Sequence, residues 1–192
     1  VRRSSIALSV AFVTLLGCRR APEELPPPST VGSAQSNVGK PPSVPSAASA
    51  NARVRPEKAR NCPKDPEGSS MLPTLPITFA EAGAKLDAEI AKNEHDVTRG
   101  LMYRTEMPDD HGMLFKMPDR QEQIFWMRNT CIPLDMLFLD DDGTVVGVLP
   151  DVPVLNEEQR TVGKPSRYVL ETNAGWAEAH GVRAGMKAKL PL

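Results

Sequence analysis

Two carboxylates stand where the chain is otherwise apolar. Asp135 opens the run Asp135-Met136-Leu137-Phe138-Leu139, and Glu171 follows Tyr168-Val169-Leu170. If both runs are strands, alternation puts Asp135 on one face with Leu137 and Leu139, and Glu171 on one face with Val169. A carboxylate withdrawn from water needs hydrogen-bond donors or a raised pKa. Arg104, Arg128 and Asn129 are the candidate partners, and with Trp126 they line one polar pocket if the fold brings them together. Three chemistries suit such a pocket. An aromatic platform beside amide and carboxylate groups suits a sugar or peptidoglycan fragment. Asp135 and Glu171 as general acid and base suit a hydrolase, which needs the pair roughly 5 to 10 Å apart with unequal pKa values. Met102, Met107, Met113, Met117, Met127 and Met136, with Cys131, suit Cu(I), a soft ion that thioethers and thiolates bind. Against all three stands a structural role, with the carboxylates hydrogen-bonded into the fold and the methionines filling a core.

His95, His111 and His180 are scattered and read as surface or loop residues. The chain has no zinc spacing, no Ser/His/Asp order and no phosphate-cradling glycine loop, so neither a metal centre nor a cofactor is expected. The reading adopted is a binding module whose ligand contacts come from Arg104, Trp126, Asn129, Asp135 and Glu171. The hydrolase and the soft-metal protein remain the alternatives.

Strands must position these residues. Residues 77–80 and 84–91 read as strands joined by a turn at Glu81-Ala82-Gly83. In the second, Leu86, Ala88 and Ile90 share one face and Lys85, Asp87 and Glu89 the other, so it should be half-buried. Asn93, three residues before Asp96, is an N-cap for a short helix that runs through Arg99 and stops at Gly100. A polar loop around Pro108-Asp109-Asp110-His111 leads to a strand at 112–115. Residues 123–128 place Phe125 and Met127 against Ile124 and Trp126, apolar on both faces, which predicts a strand buried on both sides. Pro133 breaks it. The next strand, 134–139, leads through Asp140-Asp141-Asp142-Gly143 into 144–149. The Asp-Gly pair signals a hairpin, and the acids read as a solvated turn because they lack the alternating ligands of a calcium loop. Residues 151–165 are loop-like, 168–172 a strand, 174–180 a short helix ended by Gly181, and 186–190 a last strand. The sum predicts a mainly β, β-rich α+β domain: a compact antiparallel sandwich or barrel with two short helices.

The N-terminal third is built differently. Arg2 and Arg3 precede an apolar run from Ile6 to Leu16, too short to span a bilayer, and Leu15-Leu16-Gly17-Cys18 resembles a bacterial lipobox. That resemblance implies a leader of residues 1–17, cleavage before Cys18 and lipidation of its thiol. Val1 is consistent with an alternative start codon. Arg19 is not the aspartate associated with inner-membrane retention, which favours the outer membrane. Between Pro22 and Pro73 lie eleven of the nineteen prolines, and no aromatic occurs between Phe12 and Phe79. Such a segment cannot bury enough apolar surface to offset its ordering entropy. Residues 18–71 therefore read as a disordered tether, roughly 40 Å long as a coil, carrying one domain over 72–192.

Charge divides at the same boundary. Through Met71 there are ten Lys or Arg against five Asp or Glu, and from Leu72 onward thirteen against nineteen. A domain with about six net negative charges is a poor partner for nucleic acid, whose phosphates are bound by Lys and Arg. The expected partners are the membrane, through the lipid on Cys18, and an envelope glycan or protein. Of the two remaining thiols, Cys62 and Cys131 can pair in an oxidising compartment or stay free, and no sequence rule decides it.

Five blocks carry a family resemblance: Arg99-Gly100-Leu101-Met102-Tyr103-Arg104, Gly112-Met113-Leu114-Phe115, Phe125-Trp126-Met127-Arg128-Asn129-Thr130, Ile132-Pro133-Leu134-Asp135 and Tyr168-Val169-Leu170-Glu171-Thr172-Asn173-Ala174-Gly175. In this order they resemble the signature of the domain of unknown function 192 family, over about residues 75–190. The resemblance implies a small β-rich, sandwich-like domain, often exported in bacteria, with no agreed activity. Arg128 stands where the family usually has lysine, and residues 150–166 follow no familiar pattern.

Overall fold

The structure is a computed structural model that describes residues 54–68 and 70–191. The leader 1–17, Cys18 with its expected lipid, and the tether as far as residue 53 lie outside the described residues.

Seven strands form one sheet: β1 (Thr74–Phe79), β2 (Ala84–Ala91), β3 (His111–Glu122), β4 (Leu134–Leu139), β5 (Val145–Val152), β6 (Pro165–Asn173) and β7 (Ala188–Lys189). Their order is β5-β4-β6-β3-β2-β1-β7. Two short helices, α1 (Glu94–Arg99) and α2 (Trp176–Ala179), complete a mostly β domain. The sheet curls into a half-barrel. Its two ends approach each other where Val145 N donates to Met186 O at 2.9 Å and Ala188 N donates to Gly143 O at 2.9 Å. Gly143 permits that approach, because a Cβ there would stand 2.3 Å from the Ala188 carbonyl oxygen. All pairings are antiparallel except β2 with β3, which run parallel. A parallel pair needs a crossover instead of a hairpin, and α1 with the loop after it supplies one.

Local signals explain most elements. Asn93 Oδ1 accepts from Asp96 N at 2.9 Å and Gly100 N closes on Asp96 O at 2.8 Å, so α1 has both ends satisfied as its sequence predicts. The β4–β5 hairpin turns at Gly143, whose φ of 83° suits glycine. The strand predicted at 123–128 does not form. Phe125 makes only an isolated bridge to Arg160, Ile124 is 55% exposed and Trp126 is 47% exposed. Alternation of apolar residues describes this loop as well as it describes a strand, because Phe125 and Met127 turn inward from an irregular backbone. Glu89, expected on the solvent side of β2, is buried and paired with Arg104.

Two apolar clusters occupy the two faces of the sheet. Leu86, Leu114, Leu137, Leu139 and Leu170 pack on one side with Trp176 and Ala177 of α2. Met113, Phe115, Met136, Phe138 and Val169 pack on the other with Leu101, Met107, Met127 and Ile132. Each cluster takes alternate residues of the same strands, the pattern of a sheet buried on both faces.

The folded part begins before residue 72. A strap from residue 55 onward is fixed by the Cys62–Cys131 disulfide, with Cα atoms 5.6 Å apart, and by Ala59 N donating to Cys131 O at 2.9 Å. Further along, Asp65 pairs with Arg99 at 2.6 Å and Leu72 N donates to Glu89 Oε2 at 2.6 Å. Proline-rich composition hides this segment, since its anchoring comes from a cross-link and ion pairs and not from an apolar core.

Candidate functional site

The two carboxylates face away from each other. β4 and β6 pair antiparallel with Asp135 opposite Thr172 and Met136 opposite Glu171. Residues opposite one another in a ladder share a face, so Asp135 lies on the Leu137 side and Glu171 on the Met136 side. Alternation within each strand holds as read from sequence. The register between the strands, which the sequence did not reveal, separates the pair, and no pocket is shared between them.

Asp135 is fully buried and fully occupied. Its Oδ1 accepts from Gly175 N at 3.0 Å and Asp151 N at 2.9 Å, and its Oδ2 accepts from Ala177 N at 2.9 Å. Gly175 and Ala177 open α2, whose first amides have no partner within the helix. Asp135 supplies that partner from another strand. Three donors leave little of the carboxylate free for a ligand.

Glu171 has the opposite surroundings. It is 4% exposed and flanked across the ladders by Met113 and Met136, and its carboxyl makes no hydrogen bond to any described residue. Burial alone pushes its carboxyl up to about 8. It lines a cavity of about 190 Å³ between the sheet, α1 with its following turn, and the 123–130 loop. Val97, Leu101, Phe115, Met117 and Phe125 make the walls apolar, Thr98 and Thr130 add hydroxyls, and Ile124 and Trp126 stand partly exposed at the rim. Gly100 shapes one wall, since a Cβ there would come within 3.1 Å of the Phe115 ring. Arg99 is the other charged residue in the lining, and its guanidinium is engaged by Asp65 and Glu67 of the strap. A larger open depression of about 660 Å³ lies on the outer side of α1. Within it His95 pairs with Glu67 at 2.9 Å, and its acidic residues, Glu67 and Glu94, are exposed, so it holds no buried carboxyl.

The other sequence-derived candidates divide between these places. Trp126 lines the Glu171 cavity, with the Arg128 guanidinium 6.0 Å from its ring centre. Arg104 is elsewhere, held by both oxygens of Glu89 and by its donation to Ser70 O at 3.2 Å. Asn129 braces the backbone. It and Tyr103 both adopt positive φ, 54° and 65°, and fix each other: Tyr103 N donates to Asn129 O at 2.8 Å, and Asn129 Nδ2 to the Tyr103 hydroxyl at 2.9 Å. Strained conformations persist when neighbours over-determine them, and this pair seats the 123–130 loop over the cavity. Of the five candidates, the fold brings together Trp126 and Glu171 only. Thr130, Phe125 and Leu101 escaped sequence reasoning because nothing in their own spacing marks a wall built from three separate segments.

The methionines of the soft-metal set gather, but as packing: Met117 packs against one apolar cluster and, with Met102, lines the cavity. Met107, Met113, Met127 and Met136 are buried in the core cluster, and the Cys131 sulfur is bonded to Cys62. Among the described residues no group of three or more His, Cys, Asp or Glu side chains gathers at one point.

Residues 77–190 match the DUF192 family, described as an uncharacterised ACR. The chain belongs to the DUF192 family. Two solved structures share its fold. One is a crystal structure of a proposed transcription regulator from Sinorhizobium meliloti 1021, 34% identical, covering 64% of this chain and 97% of that one with a TM-score of 0.59. The other is a protein of unknown function from Novosphingobium aromaticivorans DSM 12444, 33% identical, covering 61% of this chain and 85% of that one, also with a TM-score of 0.59. No protein of curated function matches the chain. In this DUF192 domain four of the five blocks that carry the family resemblance meet in space. Arg99 to Met102, Phe115, Phe125, Trp126, Thr130 and Glu171 all fall within them and all line the one cavity.

Proposed function

We propose that this DUF192 protein is an envelope-tethered binding module that captures a small ligand in the Glu171 cavity. The observation that carries the reading is a buried carboxyl without a hydrogen-bond partner on the wall of an apolar cavity. Most buried polar groups are paired, and a carboxyl on a cavity wall that is not leaves room for a partner that arrives from outside. The half-exposed Trp126 at the rim offers an apolar face to an entering ligand. The tether and the lipobox-like Leu15-Leu16-Gly17-Cys18 supply the setting: a lipid on Cys18 holds the chain to a bacterial membrane, the outer one favoured, and the domain samples what passes.

The two alternatives lose their support. An acid/base pair of Asp135 and Glu171 sits across a sheet from itself, with Asp135 saturated by three amides. Cu(I) handling has no free thiolate at Cys131. A glycan retains one contact point, the exposed ring of Trp126.

A thermal-shift screen of the full chain against small neutral, cationic and anionic compounds, together with glycans and peptidoglycan fragments, tests the reading. A ligand that binds the native state raises its melting temperature by mass action. The expected hits act on wild type and lose their effect in Trp126→Ala and Glu171→Leu. Shifts that persist equally in both variants count against this cavity. The anchor is tested separately by membrane fractionation, where Cys18→Ser should release the chain into the soluble fraction.

A further inference from the structure

We infer that the Glu171 cavity takes a neutral, ring-sized molecule carrying one oxygen acceptor, of the phenol or aryl ketone class, with the Glu171 carboxyl donating a hydrogen bond to that oxygen. The inference rests on the cavity being a binding site, as proposed above, and narrows what enters it.

Size sets the first limit. About 190 Å³ is close to the roughly 150 Å³ of an apolar cavity that admits benzene, so one six-membered ring with a substituent fits inside and anything larger extends past the rim at Trp126. Wall chemistry sets the second. Val97, Leu101, Phe115, Met117 and Phe125 offer nothing to a hydroxyl. The polar groups of the wall, Thr98, Arg99, Thr130 and Glu171, are too few to pair one on every carbon, and each buried hydroxyl left unpaired is penalised. A sugar ring, with a hydroxyl on most carbons, is therefore excluded from the interior, while an arene with one oxygen is not.

Charge sets the third. From α1 the one titratable group on the wall is Arg99, held by Asp65 and Glu67. β3 presents Met113, Phe115 and Met117, β4 presents Met136, and the loop presents Ile124, Phe125, Trp126 and Thr130, none of which titrates. Outside the lining, Arg128 sits by the Trp126 ring, where an organic cation would otherwise stack. An anion finds no free cation, because Arg99 is already neutralised. A neutral acceptor is what these walls leave.

At neutral pH Glu171 holds its proton, since burial raises its pKa to about 8, and a neutral carboxyl is a donor as well as an acceptor. Thr130 donates its hydroxyl to Arg128 O at 3.3 Å, which leaves its oxygen free to accept from a phenol.

Calorimetric titration of the full chain with acetophenone, p-cresol, toluene, benzylamine and glucose tests this. Acetophenone and p-cresol should bind at pH 7 and toluene more weakly. Acetophenone does not titrate, so its affinity should drop about tenfold between pH 7 and pH 9 as Glu171 loses its proton, and the drop should vanish in Glu171→Gln. Circular dichroism confirms that the variant folds, and the wild-type pH series stands without it. Benzylamine binding that strengthens toward pH 9 overturns the neutral class while leaving the cavity as a site. Toluene binding as tightly as acetophenone, without pH dependence, overturns the role of Glu171 in the same way. If none of the ring-sized probes binds, the cavity reading itself falls.

Discussion

Asp135 and Glu171 sit on neighbouring strands, both nearly without solvent, and differ in everything else. On the Leu137 face, Asp135 gathers three backbone amides and ties β4 to the start of α2 and the end of β5. On the Met136 face, Glu171 gathers none and opens onto a cavity. The difference follows from what covers each face. A helix start brings unpaired N–H groups to the first carboxylate, whereas an apolar turn and a loop rich in aromatics bring none to the second. Burial alone therefore does not mark a functional carboxylate; what covers each face decides whether the carboxylate is occupied or left facing a cavity.

The sharpest way to break this contrast is to remove the titration of Glu171. Its folded pKa of about 8 lies above the unfolded value of 4.5, so the folded chain keeps a proton that the unfolded chain has lost. The contribution of Glu171 to stability should therefore be greatest below about pH 4.5, fall as pH rises to about 8, and then level off, against the opposite acid-side trend of Asp65, Asp140 and Asp142, whose pKa values are lowered. The full excursion is about 5 kcal/mol, taking about 1.4 kcal/mol per pKa unit. Glu171→Gln should be no more stable than wild type at pH 4 and clearly more stable at pH 9, with the difference between the two curves changing by about that amount. Urea unfolding at a series of pH values measures it. Parallel curves would mean that Glu171 has found a partner and that the two faces are alike.

The strap bears on one face more than the other. Cys131 follows Thr130 of the cavity wall, and its bridge closes a sequence separation of 69 residues. In the chain-entropy account, losing a bridge over that separation costs about 4 kcal/mol. The paired Cys62→Ser and Cys131→Ser variant should lose about that much, and hydrogen exchange should accelerate first in residues 123–132 and in α1, before the amides that Asp135 holds. Uniform acceleration on both faces would deny the strap any special hold on the cavity.

Asp135→Asn tests the other side of the comparison. The amide keeps the volume but offers one acceptor oxygen and turns an NH₂ toward backbone donors, so at least one buried N–H loses its partner. The expected loss is about 3 kcal/mol, independent of any ligand. If this variant keeps its stability but loses binding, Asp135 belongs to a site after all.

How much of this was readable in advance depends on distance along the chain. The α1 cap at Asn93, the stop at Gly100, the β4–β5 turn at Gly143 and the face of each carboxylate follow from contacts a few residues apart, and the sequence predicts each of them. The register that places Met136 opposite Glu171, the parallel pairing of β2 with β3 and the docking of Asp65 on Arg99 join residues tens of positions apart. Periodicity carries no information about these. The 123–128 segment differs for a related reason: its apolar alternation is real, but a pair of left-handed residues at Tyr103 and Asn129 fixes the loop. Asparagine favours positive φ but tyrosine does not, and their pairing across 26 positions leaves no local signal.

The smallest expected effect concerns the two tryptophans, one on each side. Trp176 is buried against Phe79 and stacks on His180 at 4.4 Å, whereas Trp126 is 47% exposed at the cavity rim. A surface side chain with few buried contacts contributes little to folding, so Trp126→Ala should change stability by about 0.5 kcal/mol or less. It should nonetheless remove most of the emission that acrylamide quenches in wild type, since the remaining Trp176 is shielded. Addition of a cavity ligand to wild type should protect that same emission. A destabilisation of several kcal/mol would show that Trp126 is part of the core, as the alternating pattern of its neighbours first suggested, and would take from the cavity the exposed rim on which ligand entry depends.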